Sequence, residues 1–362
     1  MLLFNRITII GLGLIGSSIA RAVRERGVAA TVVGCDHNDI SLAYGRKHHM
    51  IDIAESDPGA AVVDSDMIIL ATPPSTLEAI TKTIAPALKP GSIVMDVASV
   101  KLAAIAAIEP HLPAGVIFIP AHPIAGSEHA GIASGSGELF ERKRVILTPT
   151  DPTGIEPVLQ QVNAFWQALG ARTEAMPAHL HDMVYAYVSH LPQLLAFAAG
   201  SVLEPYVRDT DDELLRKFLR LSHSSTDMWI DIFLLNKENI LTALNRYLDA
   251  VLHIQKELGE APEGTISQSD EGLARTALFP RIVASCLVTT VMEAEKKSGF
   301  PFARFAGTGF ADFTYPASQP PEGDIESIAQ QYAAVSAILG EYTQRLQALS
   351  KAIDSGDAGE ML

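Results

Sequence analysis

The sequence predicts a parallel α/β sheet domain followed by an all-α helical domain, and three observations carry that prediction. Over the first 176 residues, short apolar runs rich in Val and Ile alternate with stretches of helical spacing. After Met176-Pro177 the strand-like runs stop and only helical spacing continues. Within the helical part, a later stretch repeats the residue pattern of an earlier one, which predicts internal duplication. The 362 residues suit two domains or three small ones, and at 48 % hydrophobic and 19 % charged the chain can bury sizeable cores.

The apolar runs at 7–10, 31–35, 67–71, 92–97, 116–119, 145–147 and 172–175 are the expected strands, and 15–26, 77–88 and 156–169 are helices between them. Apolar strands alternating with helices imply a parallel sheet covered on both faces. Pro73-Pro74, Pro90-Gly91 and 113–115 punctuate it as turns. We place the first domain at 1–176 and a first helical copy at 177–259. A polar, Gly- and Pro-bearing linker follows at 260–273 and a second helical copy at 274–353, with a tail expected to fray after 354.

Two registers carry the repeat. Leu191-Pro192 and Phe279-Pro280 each open a helix. Further on, Phe218, Ile230, Leu244, Tyr247 and Lys256 recur 95 residues later as Phe313, Ile325, Leu339, Tyr342 and Lys351. The alternative is two unrelated helical hairpins, since amphipathic helices always match in part.

Composition excludes several classes of function. The 27 Lys+Arg against 42 Asp+Glu give a formal charge of −15, which argues against nucleic acid as a partner. An anionic substrate then has to be met by local cations. Cys35 and Cys286 lie far apart, without metal spacing, which suits a reducing cytosol and neither a disulfide framework nor a bound metal. No basic leader precedes the first apolar run, and Gly, Pro or charge interrupts every long one. We therefore expect a cytoplasmic protein with no membrane partner.

Gly11-Leu12-Gly13-Leu14-Ile15-Gly16 fits G-x-G-x-x-G between an expected strand and an expected helix, the context that gives this motif meaning. Gly11 allows the tight turn, Gly13 lets backbone approach a pyrophosphate, and Gly16 lets helix pack on strand. Leu14 and Ile15 stand where a helix start offers its N–H groups to the phosphates. Asp36, twenty residues after Gly16, closes the next strand and would accept from the ribose hydroxyls. These residues predict a Rossmann-type domain using NAD in preference to NADP.

Ligands of such sheets bind beyond the carboxyl ends of the strands. That makes Thr72 and Pro73, Ser99, and His122 candidates. His122 is the natural general base, an imidazole titrating near neutrality, and Ser99 could bond the same substrate hydroxyl. On position alone His122 could equally be a loop histidine.

The ordered motifs now become specific. His122-Pro123-Ile124-Ala125-Gly126-Ser127-Glu128, Leu139-Phe140-Glu141, Ile146-Leu147-Thr148-Pro149, Ser189-His190-Leu191-Pro192, Asp227-Met228-Trp229 and Asp231-Ile232-Phe233 closely resemble the prephenate/arogenate dehydrogenase family of tyrosine biosynthesis. The resemblance runs from Ile7 to about Leu258. It implies a nucleotide-binding domain followed by a helical domain that dimerises, with NAD-dependent oxidative decarboxylation of prephenate to 4-hydroxyphenylpyruvate, or of arogenate, as the reaction. It implies His122 as catalytic base assisted by Ser99, with Glu128 at the mouth of the site, His190 on the substrate, and Arg220 on a substrate carboxylate. Trp229 reads as packing.

Two departures stand out. Many prephenate-using relatives read S-H-L-P-H, whereas Gln193 occupies the last position here, leaving open the choice between the ketone of prephenate and the ammonium of arogenate. The usual F-R-D-x-T-R run is Leu215-Arg216-Lys217-Phe218-Leu219-Arg220. With neither a regulatory domain nor a fused mutase in view, tyrosine inhibition would act at the active site. A β-hydroxyacid dehydrogenase is the competing enzyme, disfavoured because 179–199 contains no lysine. A catalytically dead binding protein is the competing class.

Copy two carries Gly307-Thr308-Gly309-Phe310-Ala311-Asp312-Phe313-Thr314, nearer the family's glycine-loop pattern than copy one, yet Leu278, Ala311 and Tyr315 stand where copy one has His190, Arg216 and Arg220. We expect 274–352 to stand in for a partner's helical domain as an internal pseudo-dimer, with further homo-oligomerisation left open.

Overall fold

The structure is a computed structural model and describes residues 2–126, 130–151, 153–207, 211–258, 272, 274–319 and 331–361. The chain divides into two compact units, Met1–Asp182 and Met183–Leu362. The division falls within the helix that begins at Ala178, just beyond the boundary expected at 176.

In the first unit, β1 (Phe4–Ile10), β2 (Ala29–Cys35), β3 (Ile53–Glu55), β4 (Met67–Leu70), β5 (Ile93–Asp96) and β6 (Ile117–Phe118) form a parallel sheet in the order β3-β2-β1-β4-β5-β6. Strand order reverses between β1 and β4, and sheets of this kind bind their ligands beyond the carboxyl ends of the strands at such a reversal. The intervening helices are α1 (Leu14–Glu25), α2 (Asp39–Lys47), α3 (Pro58–Ala61), α4 (Leu77–Ile84) and α5 (Lys101–Ile108). Ile7, Ile9, Val32, Met67 and Ile69 bury one face of the sheet, and Ile10, Val33, Ile68, Leu70 and Val94 bury the other. Burial of both faces is why these strands read as unbroken apolar runs.

The last expected strands leave that sheet. β7 (Ala121–Pro123), β8 (Arg144–Leu147) and β9 (Arg172–Ala175) make a separate three-stranded sheet, with β7 antiparallel to β8 and β8 parallel to β9. Pro120, which has no N–H to donate, lies between β6 and β7 where the chain changes sheets. α6 (Glu156–Ala168) joins β8 to β9 and buries Phe165 and Trp166, and α7 (Ala178–Tyr185) follows. His122 is thus a strand residue, not a loop residue.

The second unit is helical: α8 (Leu191–Val207), α9 (Glu213–Leu219), α10 (Thr226–Leu235), α11 (Lys237–Leu258), α12 (Phe279–Ser298), α13 (Thr308–Thr314) and α14 (Tyr332–Ser355). A π turn precedes α8 at Ala186–His190, and another precedes α12 at Ala274–Leu278. Pro192 and Pro280 explain both, because each lacks the N–H that would bond four residues back and its ring crowds that carbonyl. α9 and α13 start and end 95 residues apart, as do the 3₁₀ turns Arg220–His223 and Tyr315–Ser318 that follow them, and α11 and α14 start in the same register. Ile325 and the expected linker, apart from Gly272, lie outside the described residues.

The tail corrects its expectation of fraying. α14 runs to Ser355, Gly356 closes it at φ +75°, Asp357 caps Gly359, and Met361 is buried. Among the described residues two helical runs, Ala178–Leu203 and Ala274–Ser298, are long and apolar enough to cross a membrane, with mean hydropathy 1.2 and 1.4. Their apolar windows are 78 % and 56 % buried within the protein, as in core helices. Burial pushes the Cys35 and Cys286 thiols up to about 12, so neither is a ready nucleophile.

Candidate active site

The glycine turn connects β1 to α1 at the strand-order reversal. Gly11 has φ +93°, and a Cβ there would meet the Ala71 carbonyl at 2.6 Å. A Cβ on Gly16 would collide with the Gly11 carbonyl oxygen, whereas one on Gly13 would meet nothing within 4 Å. Two glycines are therefore demanded by packing and the middle one faces open space, the cradle a pyrophosphate needs. Gly13 is the N-cap of α1, without a side-chain cap or an acidic residue in the first turn, so the helix-start amides around Leu14 and Ile15 and the positive dipole end suit an anion.

Asp36 follows β2, half-buried. Its Oδ2 accepts from the Leu12 amide at 2.7 Å and its Oδ1 from the Asn38 amide at 2.9 Å. A carboxylate has about four acceptor positions, so capacity is left for ribose hydroxyls. Thr72 and Pro73 follow β4, and Thr72 Oγ1 accepts from Thr76 at 2.9 Å. The donors and the open cradle fit a dinucleotide.

His122 projects from β7, 8 % exposed. Its Nδ1 lies 2.8 Å from His181 Nε2, and His181 Nδ1 lies 2.8 Å from Asp182 Oδ1. A carboxylate only accepts, so His181 Nδ1 carries a proton, and in neutral His181 the Nε2 accepts. His122 Nδ1 must then donate to it, and Nε2 is the basic nitrogen of His122. Asp182 is anchored in turn by the first amides of α5, Lys101 N at 2.8 Å and Leu102 N at 2.9 Å. Val100, the N-cap of α5, offers no side-chain cap, so Asp182 serves as cap and sits in the positive dipole.

Beneath this chain, fully buried Lys101 donates through Nζ to Asp96 at the end of β5 and to the Ala121 carbonyl of β7, tying the His122 strand to the parallel sheet. Burial pushes the Asp96 carboxyl up and the Lys101 ammonium down, each against the opposing pull of its partner. Ser99 lies half-buried between β5 and α5. Glu128 lies outside the described residues.

Sequence reasoning missed His181, Asp182, Lys101 and Asp96. The signal was present in His179-Leu180-His181-Asp182 at the start of a helix, but nothing local says that it pairs with a strand 59 residues away.

In the helical unit, His190 is fully buried at the end of the π turn, with Nδ1 3.0 Å from Asn236 Nδ2 and its ring 6.2 Å from that of Trp229. Gln193 is 1 % exposed, and its Nε2 donates to the Leu221 carbonyl at 2.7 Å. Arg220 Nε donates to Asp312 Oδ2 at 2.7 Å, an ion pair from the first helical stretch to the second.

Comparison with known proteins adds the family. The profile of the prephenate dehydrogenase nucleotide-binding domain matches residues 19–175, and that of the prephenate dehydrogenase dimerization domain matches twice, at 177–268 and 265–362. Cyclohexadienyl dehydrogenase of Zymomonas mobilis is 32 % identical over 255 residues, 68 % of this chain and 86 % of that protein. Prephenate dehydrogenase of Bacillus subtilis is 29 % identical over 251 residues, 67 % of each. Among solved structures, prephenate dehydrogenase from Aquifex aeolicus in complex with hydroxyphenyl propionate and NAD+ is 29 % identical, with TM-score 0.64, covering 82 % of this chain and 97 % of that one.

Proposed function

The chain belongs to the prephenate dehydrogenase family, and we propose that within it this protein carries out NAD-dependent oxidative decarboxylation of prephenate to 4-hydroxyphenylpyruvate. The observation that carries this reading is the His122–His181–Asp182 chain, whose proton order makes His122 Nε2 basic beyond a sheet that ends in a dinucleotide cradle. NAD, when bound on Gly11, Gly13, Leu14, Ile15 and Gly16 with Asp36 on its ribose, supplies the hydride acceptor. Thr72 and Pro73 border that position.

His122 Nε2 takes the proton of the ring 4-hydroxyl, with Ser99 holding the same hydroxyl. The imidazolium so formed keeps its Nδ1–H on His181, and Asp182 stabilises the pair electrostatically. Arg220 binds a substrate carboxylate through its planar guanidinium, and His190 orients the substrate. Loss of the ring carboxylate as carbon dioxide leaves an aromatic phenol, and aromatisation drives the reaction.

A second reading, with arogenate as substrate, is favoured by Gln193. The Leu221 carbonyl can only accept, which fixes the amide with Nε2 toward it. Oε1 is buried without a hydrogen-bond partner among the described residues, and an acceptor suits an ammonium better than a ketone.

We also propose that residues 274–352 stand in for a partner's helical domain. The double match to the dimerization domain and the shared register of α9 with α13 and α11 with α14 support this. Further self-association through another face is compatible with it.

His122→Asn tests the mechanism. NAD affinity should hold, while turnover falls by about 10²–10⁴. Near-normal turnover removes His122 as the base.

A further inference from the structure

The two helical copies meet through reciprocal contacts. Phe218 packs on Phe313, its own image 95 residues on, with ring centroids 4.6 Å apart. The Tyr247 hydroxyl lies 3.3 Å from that of Tyr342, again its own image. α11 packs on α12, and their images, α14 and α8, pack on each other. A residue that touches its own image marks a two-fold axis, and across such an axis a contact of i with j implies one of j's image with i's image. The ion pair of Arg220 with Asp312 therefore has a mirror position: Tyr315, the image of Arg220, and Lys217, whose image is Asp312. These two do meet, with Lys217 Nζ 4.1 Å from the centre of the Tyr315 ring.

The mirror contact keeps its positions but not its chemistry. On one side an arginine is held by a carboxylate. On the other, tyrosine replaces the arginine and lysine replaces the carboxylate, so an ion pair has become a cation resting on a ring. The exchange also selects the partner. Copy one against a second copy one would set Lys217 against Arg220, cation on cation, whereas copy two offers Asp312.

We propose that the junction of the two copies is one-sided: Asp312 of copy two positions the substrate-binding Arg220 of copy one, while the mirror pair Lys217–Tyr315 is a retired half-site that only closes the interface. One chain then holds one substrate site, completed in cis. This rests on the reading of Arg220 as the substrate's carboxylate ligand. With its Nε–H bond to Asp312, the guanidinium plane is set from copy two, and Asp312 acts through Arg220 without touching substrate.

The test uses the full chain. Asp312→Asn should raise KM for prephenate about tenfold with kcat changed less than about threefold, the pattern of lost ground-state binding. Asp312→Glu should recover most of the loss. Tyr315→Leu should lower the melting temperature and leave KM within about twofold. Calorimetric titration of the NAD-loaded chain with hydroxyphenyl propionate should give one site per chain.

Unchanged KM in Asp312→Asn, an equal rise in KM in Tyr315→Leu, or two ligand sites per chain each overturn the proposal. A double-mutant cycle of Arg220→Gln with Asp312→Asn, read by unfolding, needs no turnover. A wild type inactive on prephenate overturns the proposed function, while absence of coupling in that cycle overturns this inference independently.

Discussion

At the scale of single residues, the proton order around His122 follows from two premises, that Asp182 can only accept and that His181 is neutral. It predicts that Asp182→Asn, which lets position 182 donate, scrambles the tautomer of His181 and with it the basic nitrogen of His122. Turnover should fall by roughly 10²–10⁴ with NAD affinity unchanged, and a variant within about threefold of wild type would show that the chain is not part of the mechanism. On position alone His122 was one candidate among the residues that follow strands, and only the family's motif gave it the role proposed for it. Asp182 was not legible, because its partners are the backbone amides of Lys101 and Leu102, and no sequence spacing records which helix start a distant carboxylate will cap. Arg220 was legible only through the family's motif, and Asp312 not at all, since its meaning depends on a contact 92 residues back along the chain.

At the scale of elements, the long strands were readable because both faces of the parallel sheet are buried. The three-residue β3 and β7 are too short to show a period, and the split into two sheets hinges on one proline that interrupts no apolar pattern. The edges of β1 and β4 illustrate what holds such elements beyond burial. Asp66 accepts from the amides of Asn5 and Arg6 at 2.7 and 3.0 Å and pairs with Lys89 at 2.6 Å. Burial pushes its carboxyl up, but the Lys89 ammonium and the two amides outweigh that and hold it below the usual carboxylate range. A depressed acid contributes stability above its unfolded pKa, near 4, and loses it as pH falls through the folded value. The gap in melting temperature between wild type and Asp66→Asn should therefore be widest above about pH 4 and shrink below it. A gap constant with pH would contradict the assignment.

At the scale of the whole molecule, a chain of formal charge −15 that is proposed to receive an anion needs local cations, and Arg216, Lys217 and Arg220 lie close together in the sequence. The proposed repeat rests in the sequence on matched positions, and the structure adds that Phe218 meets Phe313 and Tyr247 meets Tyr342, because sequence registers say which residues correspond and not which ones meet. The central claim concerns chemistry, and the most direct measurement is NADH formation and carbon dioxide release followed together on purified protein, with prephenate and with arogenate, each with NAD and NADP. The account predicts NADH and carbon dioxide in equal amounts from prephenate, with NAD preferred over NADP. NADH without carbon dioxide, or no turnover of either acid, would contradict it.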